Sequence, residues 1–161
     1  MIDLLIALAG IAGATAASPA TNGSALVGTW RLVSNEEHRA DGTVTAVWGS
    51  SPAGSLMYQA NGRMAIQLMD PRRGKFASED RMAGSPGEVK QAFEGYLAYF
   101  GTYTVDDRAQ TVTHKRIGNI NPGGVGDFVR RYEFLSDDRL ALVPQERTDL
   151  RAVRLTWERL K

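Results

Sequence analysis

Cysteine is absent from this chain of 161 residues, and histidine occurs only twice. The lack of cysteine excludes a disulfide scaffold, a cysteine-based zinc site and thiol catalysis. Lys and Arg number 19 against 18 Asp and Glu, so the formal net charge is only +1. A nucleic-acid-binding domain would show a clustered basic face, and we therefore expect no nucleic-acid partner.

The sequence also lacks the signatures of common catalytic families. It has no Gly-x-Ser-x-Gly motif of a hydrolase and no His-x-x-x-His spacing of a metalloenzyme, so we expect neither a metal nor a cofactor. With 43% hydrophobic and 23% charged residues, the composition is ordinary for one globular domain. The length suffices for a single core without disulfides or a metal.

The first 17 residues differ from the rest in composition, since they are almost all Leu, Ile, Ala and Gly and end near Ala14-Thr15-Ala16. Such a run before an Ala-x-Ala site is typical of a cleaved signal peptide and is too short for a membrane span. Asp3 stands where a basic residue is expected, so an uncleaved anchor or a misassigned start is the alternative. We predict a signal peptide over 1–17, a leader over 18–25 and a domain over 26–161. The protein is then secreted or periplasmic, with no transmembrane span after processing; cytoplasmic residence is the alternative.

From Leu26 onward, short apolar strands alternate with turn residues. Asp41-Gly42 and Asn61-Gly62 indicate hairpins, because both central residues of such turns must tolerate positive φ. Two more hairpins are predicted across Asp106-Asp107 and Asp137-Asp138. Because the strands follow one another without a βαβ rhythm, we predict an all-β, antiparallel up-and-down barrel of about eight to nine strands.

One helix is predicted to interrupt the strands. Ser85-Pro86-Gly87-Glu88 is a capping box with proline at the first helical position. Apolar residues then recur at helical spacing from Val89 to Phe100, which predicts a helix over 86–99 that ends at Gly101. The pattern leaves open whether this helix covers the barrel mouth as a lid or packs on the outer wall.

Seven segments follow in order along the chain. They are Leu-Val-Gly-Thr-Trp (26–30), Arg-Ala-Asp-Gly-Thr (39–43), Gly-Arg-Met (62–64), Phe-Glu-Gly-Tyr-Leu-Ala-Tyr (93–99), Thr-Val-Thr-His (111–114), Arg-Arg-Tyr (130–132) and Leu-Thr-Trp-Glu-Arg (155–159). Together they resemble the bacterial lipocalin-like domain family of calycin-type barrels. The resemblance implies a small β-barrel with an internal cavity. The chain differs from classical secreted lipocalins in having no cysteine pair and in placing its helix mid-barrel, so retinoid or haem ligands are not implied.

Strand parity predicts which side chains face the barrel interior, since alternate residues share one face. With Trp30 inward, Glu36 falls on the same face, and His114 and Arg130 fall on the apolar faces of later strands. An inward charge is costly unless it is paired or faces water. These residues, with Arg116 as a possible member, therefore predict either a buried ion-pair network or the polar floor of a pocket.

The predicted ligand-binding residues are Glu36, His114, Arg130, Tyr103, Tyr132 and Trp48. For His114 the alternative is a structural role in the core, which is common for a lone strand histidine. The resemblance to lipocalin-type barrels implies that Trp30 is structural, packed beneath Arg159 or Arg154 from the last strand.

Three functions fit these features. The first is binding or transport of a small hydrophobic molecule in the barrel cavity. The second is a cofactor-free cyclase, isomerase or dehydratase acting on a hydrophobic metabolite, with His114 and Glu36 as candidate acid–base residues. The third is an accessory barrel with a filled interior that binds a protein partner.

Overall fold

The computed structural model describes residues 22–80, 82–145 and 151–161, so the predicted signal peptide lies outside the described residues. The elements in chain order are α1 (Asn22–Leu26), β1 (Gly28–Arg39), β2 (Val44–Ala46), β3 (Ala53–Tyr58), β4 (Arg63–Met69), α2 (Pro86–Glu94), β5 (Tyr96–Asp106), β6 (Thr111–Asn119), a 3-10 turn (Pro122–Gly124), β7 (Gly126–Ser136), β8 (Arg139–Pro144) and β9 (Arg151–Arg159). No helix in these ranges is long and apolar enough to cross a membrane.

The strands form one antiparallel sheet that closes because β1 pairs with β9 as well as with β3. Among the described residues, β2 pairs only with the end of β1, through residues 36–38 of β1, and the other eight strands make up the barrel. Each of the four predicted hairpins joins a pair of adjacent antiparallel strands. The predicted antiparallel barrel is therefore confirmed.

One end of the barrel is closed by α1, and we call it the closed end. Leu26 of α1 is fully buried, and its carbonyl accepts a hydrogen bond of 2.9 Å from the indole Nε1 of Trp30. Trp30 and Trp157 are both completely buried in the apolar core above α1. The short helix α1, which the sequence did not predict, thus covers the closed end of the barrel.

Arg159 joins the closed end to the last strand. Its guanidinium stacks over the ring of Trp30 and donates to the carbonyls of Ala25 and Val27. Gly28 has a φ of 144°, and a Cβ there would lie 2.6 Å from Nη1 of Arg159, which explains glycine at this position. The predicted structural role of Trp30 is confirmed, with Arg159 as its partner.

The predicted extent of the helix is wrong, although its start is confirmed. Ser85 and Glu88 form both hydrogen bonds of the capping box, but α2 ends at Gly95, whose N–H donates to Gln91. Residues 96–102 instead pair with residues 63–69 of β4. Aromatic residues suit a pleated sheet, and cross-strand pairing with β4 prevails over the helical spacing of the same side chains.

The predicted inward position of Glu36 is also wrong. The pairing of β1 with β9 shifts register between Leu32 and Ser34, and this bulge reverses the parity of the rest of β1. Asn35, only 6% exposed, and Glu37 consequently face the interior. Glu36 lies on the opposite face, where its carboxylate contacts Nε2 of His38 at 3.1 Å.

Candidate functional site

The open end of the barrel contains a cavity of about 510 Å³. Its walls are mostly apolar and include Trp48, Ile66, Leu68, Phe93, Leu97 and Leu155. Its deeper polar lining consists of Asn35, Glu37, Tyr99, Arg116 and Arg130. The inward faces of β1, β4, β5, β6, β7 and β9 therefore all contribute to a single chamber above the packed core.

The mouth of this cavity is formed by α2 and by loops. Phe93 in the last turn of α2 borders the cavity and is 48% exposed, so the helix lies at the mouth rather than on the outer wall. Trp48 follows β2 with a φ of 65°, and Gly49 follows with a φ of 82°. This tight left-handed turn places Trp48 on the cavity wall, in a conformation that non-glycine residues rarely adopt. Ile120, from the loop after β6, also lines the cavity.

His114 is completely buried beneath the cavity floor and bonds to two tyrosines. Its Nε2 lies 2.5 Å from the hydroxyl oxygen of Tyr58, and its Nδ1 lies 2.9 Å from that of Tyr99. Burial, reinforced by the positive charges of Arg130 and Arg116, holds the pKa of His114 well below its ordinary value. The imidazole is therefore neutral at physiological pH, and Tyr99 connects it to the cavity.

Two arginines lie on the same side of the cavity floor. The guanidinium carbon of Arg116 is 4.2 Å from the ring centroid of Tyr99 and 3.6 Å from that of Phe128. Arg130 is 4% exposed, its guanidinium carbon lies 6.0 Å from the same Phe128 ring, and it donates to the carbonyl of Val129. The two aromatic faces stabilise the charge of Arg116, whereas Arg130 lies at the distance limit of such a contact.

The structure places the predicted ligand-binding residues in different parts of the barrel. Trp48 and Arg130 line the cavity, whereas His114 lies one layer behind it. Tyr103 and Tyr132 are not among its lining residues: their hydroxyls donate to the carbonyl of Gln59 and to the carboxylate of Asp107. Glu36 and His114, the candidate catalytic pair, are not brought together, since each bonds to other residues.

Asn35, Glu37 and Tyr99 line the cavity, although they are not among the ligand-binding residues that the sequence predicts. Strand parity predicts the outer face for Asn35 and Glu37, because no sequence signal marks the bulge in β1. The helical spacing places Tyr99 in the helix, although Gly95 is a signal for an earlier helix end. In the ranges that the structure describes, no group of three or more His, Asp or Glu side chains is arranged to hold a metal ion.

Solved structures similar to the chain include a redesigned β-barrel that is 14% identical, with 90% of this chain and 100% of that chain covered and a TM-score of 0.45. A de novo designed fluorescence-activating β-barrel is 12% identical, with 87% and 98% covered and a TM-score of 0.42. A redesigned barrel bound to DFHBI is 13% identical, with 87% and 100% covered and a TM-score of 0.42.

A search among curated proteins found no match. The model of the lipocalin-like domain family matches residues 27–160, which is nearly all of the barrel described above. The chain therefore belongs to the lipocalin-like domain family.

Proposed function

We propose that this protein binds a small apolar molecule in the cavity at the open end. The observation that carries the proposal is the chamber of about 510 Å³ with mostly apolar walls and a few polar groups on its floor. Small-molecule sites of proteins commonly measure about 300–1,000 Å³ and combine these same features. The packed core fills the barrel between this chamber and the closed end.

The geometry favours binding over the two alternatives. A protein-binding barrel with a filled interior would not need this chamber. A cofactor-free enzyme would have relied on Glu36 and His114, and neither of them lines the cavity. Export of the protein, proposed on the composition of residues 1–17 alone, would fit a carrier or scavenger outside the cytoplasm.

The test is a titration with N-phenyl-1-naphthylamine, a neutral apolar probe whose fluorescence increases in an apolar environment. We expect saturable binding at one site, accompanied by a change in the emission of Trp48 on the cavity wall. Leu97→Trp should fill the cavity and weaken binding at least about tenfold. Val129→Trp adds the same side chain to the outer face of β7 and is the matched control. Absence of saturable binding, or equal binding by both variants, would reject the cavity as the site.

A further inference from the structure

The outer face of the barrel carries ion pairs on one side and exposed apolar side chains on another. Where β9 lies between β8 and β1, Glu158 contacts both Arg31 and Arg139. Where β6 lies beside the start of β7, by contrast, Ile117 is 60% exposed and Val125 is 51% exposed. Single exposed apolar residues are ordinary on a protein surface, but adjacent ones indicate an interaction surface.

A bulge in β6 places Ile117 on this outer face. Arg116 and Gly118 both have register partners in β5, and Ile117 is the extra residue between them. The ring of Phe100 lies against Gly118, because a Cβ at that glycine would be 2.4 Å from the ring. Phe100 is itself 58% exposed and therefore extends the apolar surface next to Ile117.

Two opposite charges lie directly beside this apolar surface. Lys115 of β6 and Asp127 of β7 are register partners, and both are exposed. In the part of the chain that the structure describes, neither of them belongs to an ion pair. Ile117 comes two residues after Lys115, and Val125 comes two residues before Asp127. The face thus has an acid–base row and an apolar row, with one member of each row on either side of the line between β6 and β7.

Such a face is complementary to a second copy of itself. In a two-fold symmetric dimer, residue i of one copy contacts residue j of the other, and j contacts i. A two-fold axis that runs between β6 and β7, parallel to both, lays β6 of one copy over β7 of the other. Each Lys115 then faces Asp127 of the second copy, and each Ile117 faces Val125. A lipid surface would match the apolar row but would offer nothing specific to the acid–base row.

We propose that two copies of this chain associate through the outer face of β6 and β7. The apolar row then supplies buried surface, and the two Lys115–Asp127 contacts select the symmetric arrangement, since charge complementarity contributes mainly to specificity. Interfaces below about 1,200 Å² of total buried area are typical of weak complexes, so we expect a reversible dimer with a Kd of about 10–100 μM. This face lies outside the cavity, and the inference therefore does not depend on the proposed function.

Sedimentation velocity over a range of concentrations tests for the dimer. We expect the wild-type protein to shift from monomer to dimer as its concentration passes through the range of about 10–100 μM. Ile117→Asp should raise the dissociation constant at least about tenfold, because it buries a carboxylate opposite Val125. Val44→Asp makes the same change at an exposed valine of β2 and is the matched control, which should dimerise like the wild type.

Charge reversal tests the pairing itself. Lys115→Asp and Asp127→Lys should each abolish dimerisation, because like charges then face each other, and combining both changes in one chain should restore it. An equimolar mixture of the two single variants should form heterodimers, since one copy then carries two acidic groups and the other two basic groups. A wild-type protein that stays monomeric at all concentrations, or a failure of both rescues, would overturn the proposal. Binding of a strictly monomeric protein to phosphatidylcholine vesicles, lost in Ile117→Asp, would assign this face to a membrane instead.

Discussion

Arg159 lies over the indole of Trp30, with its guanidinium carbon 4.0 Å from the ring centroid, and the two residues are register partners across the strand pair that closes the barrel. The same guanidinium donates hydrogen bonds to the carbonyls of Ala25, which belongs to α1, and of Val27, which follows α1 directly. The Arg159 guanidinium therefore connects β1, β9 and the helix α1 at the closed end of the barrel.

Trp30→Ala should lower the free energy of unfolding by about 3–5 kcal/mol, because it removes a large, fully buried side chain and leaves a cavity. Urea denaturation measures this loss. Trp48→Ala is the comparison, since Trp48 lies on the cavity wall and is only partly buried. It should cost much less stability while weakening binding of the naphthylamine probe. A Trp30→Ala variant as stable as the wild type but unable to bind the probe would contradict the structural role.

Stability should fall in mildly acidic solution because of His114. Burial lowers the pKa of His114 in the folded state, so below the unfolded value of about 6.5 the unfolded chain binds more protons than the folded one. The free energy of unfolding then decreases as the pH falls below about 6.5, by at most about 1.4 kcal/mol per pH unit, until the lowered pKa is reached. Well above pH 6.5, the contribution of His114 to the free energy of unfolding does not change with pH.

Urea denaturation at pH 7 and pH 5 tests the effect. His114→Gln should be less stable than the wild type at pH 7 but should lose less stability on going to pH 5. His38→Gln removes the other histidine, which is partly exposed beside Glu36, and should keep the wild-type dependence. An unchanged pH dependence in His114→Gln would show that other groups cause it.

Glu36 and Glu37 provide a direct test of the two faces of β1. Glu37 lines the cavity and Glu36 does not, so Glu37→Gln changes a charged group on the cavity wall and Glu36→Gln does not. We expect Glu37→Gln to strengthen binding of the naphthylamine probe by about twofold to fivefold, because a neutral amide costs less to desolvate than a carboxylate. Glu36→Gln should leave the affinity unchanged. Titration with the naphthylamine probe measures both variants, and equal effects would contradict the reversed parity.

Phe93 and Phe100 are exposed phenylalanines in different places, at 48% and 58% exposure. Phe93→Ala should weaken binding of the naphthylamine probe by about fivefold, because the ring covers apolar surface at the mouth once the probe is bound. Phe100→Ala, on the outer face of β5, should not. Neither change removes a core side chain, so each should alter the free energy of unfolding by less than about 1 kcal/mol. Identical titration curves for both variants would exclude a role of α2 in binding.

Prediction from the sequence succeeded for features that neighbouring residues determine. It failed for features that depend on pairing with a strand far away in the chain. The capping box at Ser85 was recognised because its donors and acceptors lie within one turn of helix. Tyr96 to Phe100 also fit helical spacing, but β4 offered these residues backbone partners that no local pattern shows. Tyr99 thereby became a cavity residue instead of a helix residue.

The sequence by itself determined the antiparallel strands and their four hairpin turns, because turn chemistry and alternation can be read within a few residues. The contact of Trp30 with a late arginine was implied by the resemblance to the family and not by any local pattern. Only the tertiary structure decided that β1 carries a bulge, that Glu37 replaces Glu36 on the inner face, and that His114 lies behind Tyr99. A bulge and a buried hydrogen-bond chain arise from the register between strands far apart in the chain, and single-strand periodicity contains no information about that register.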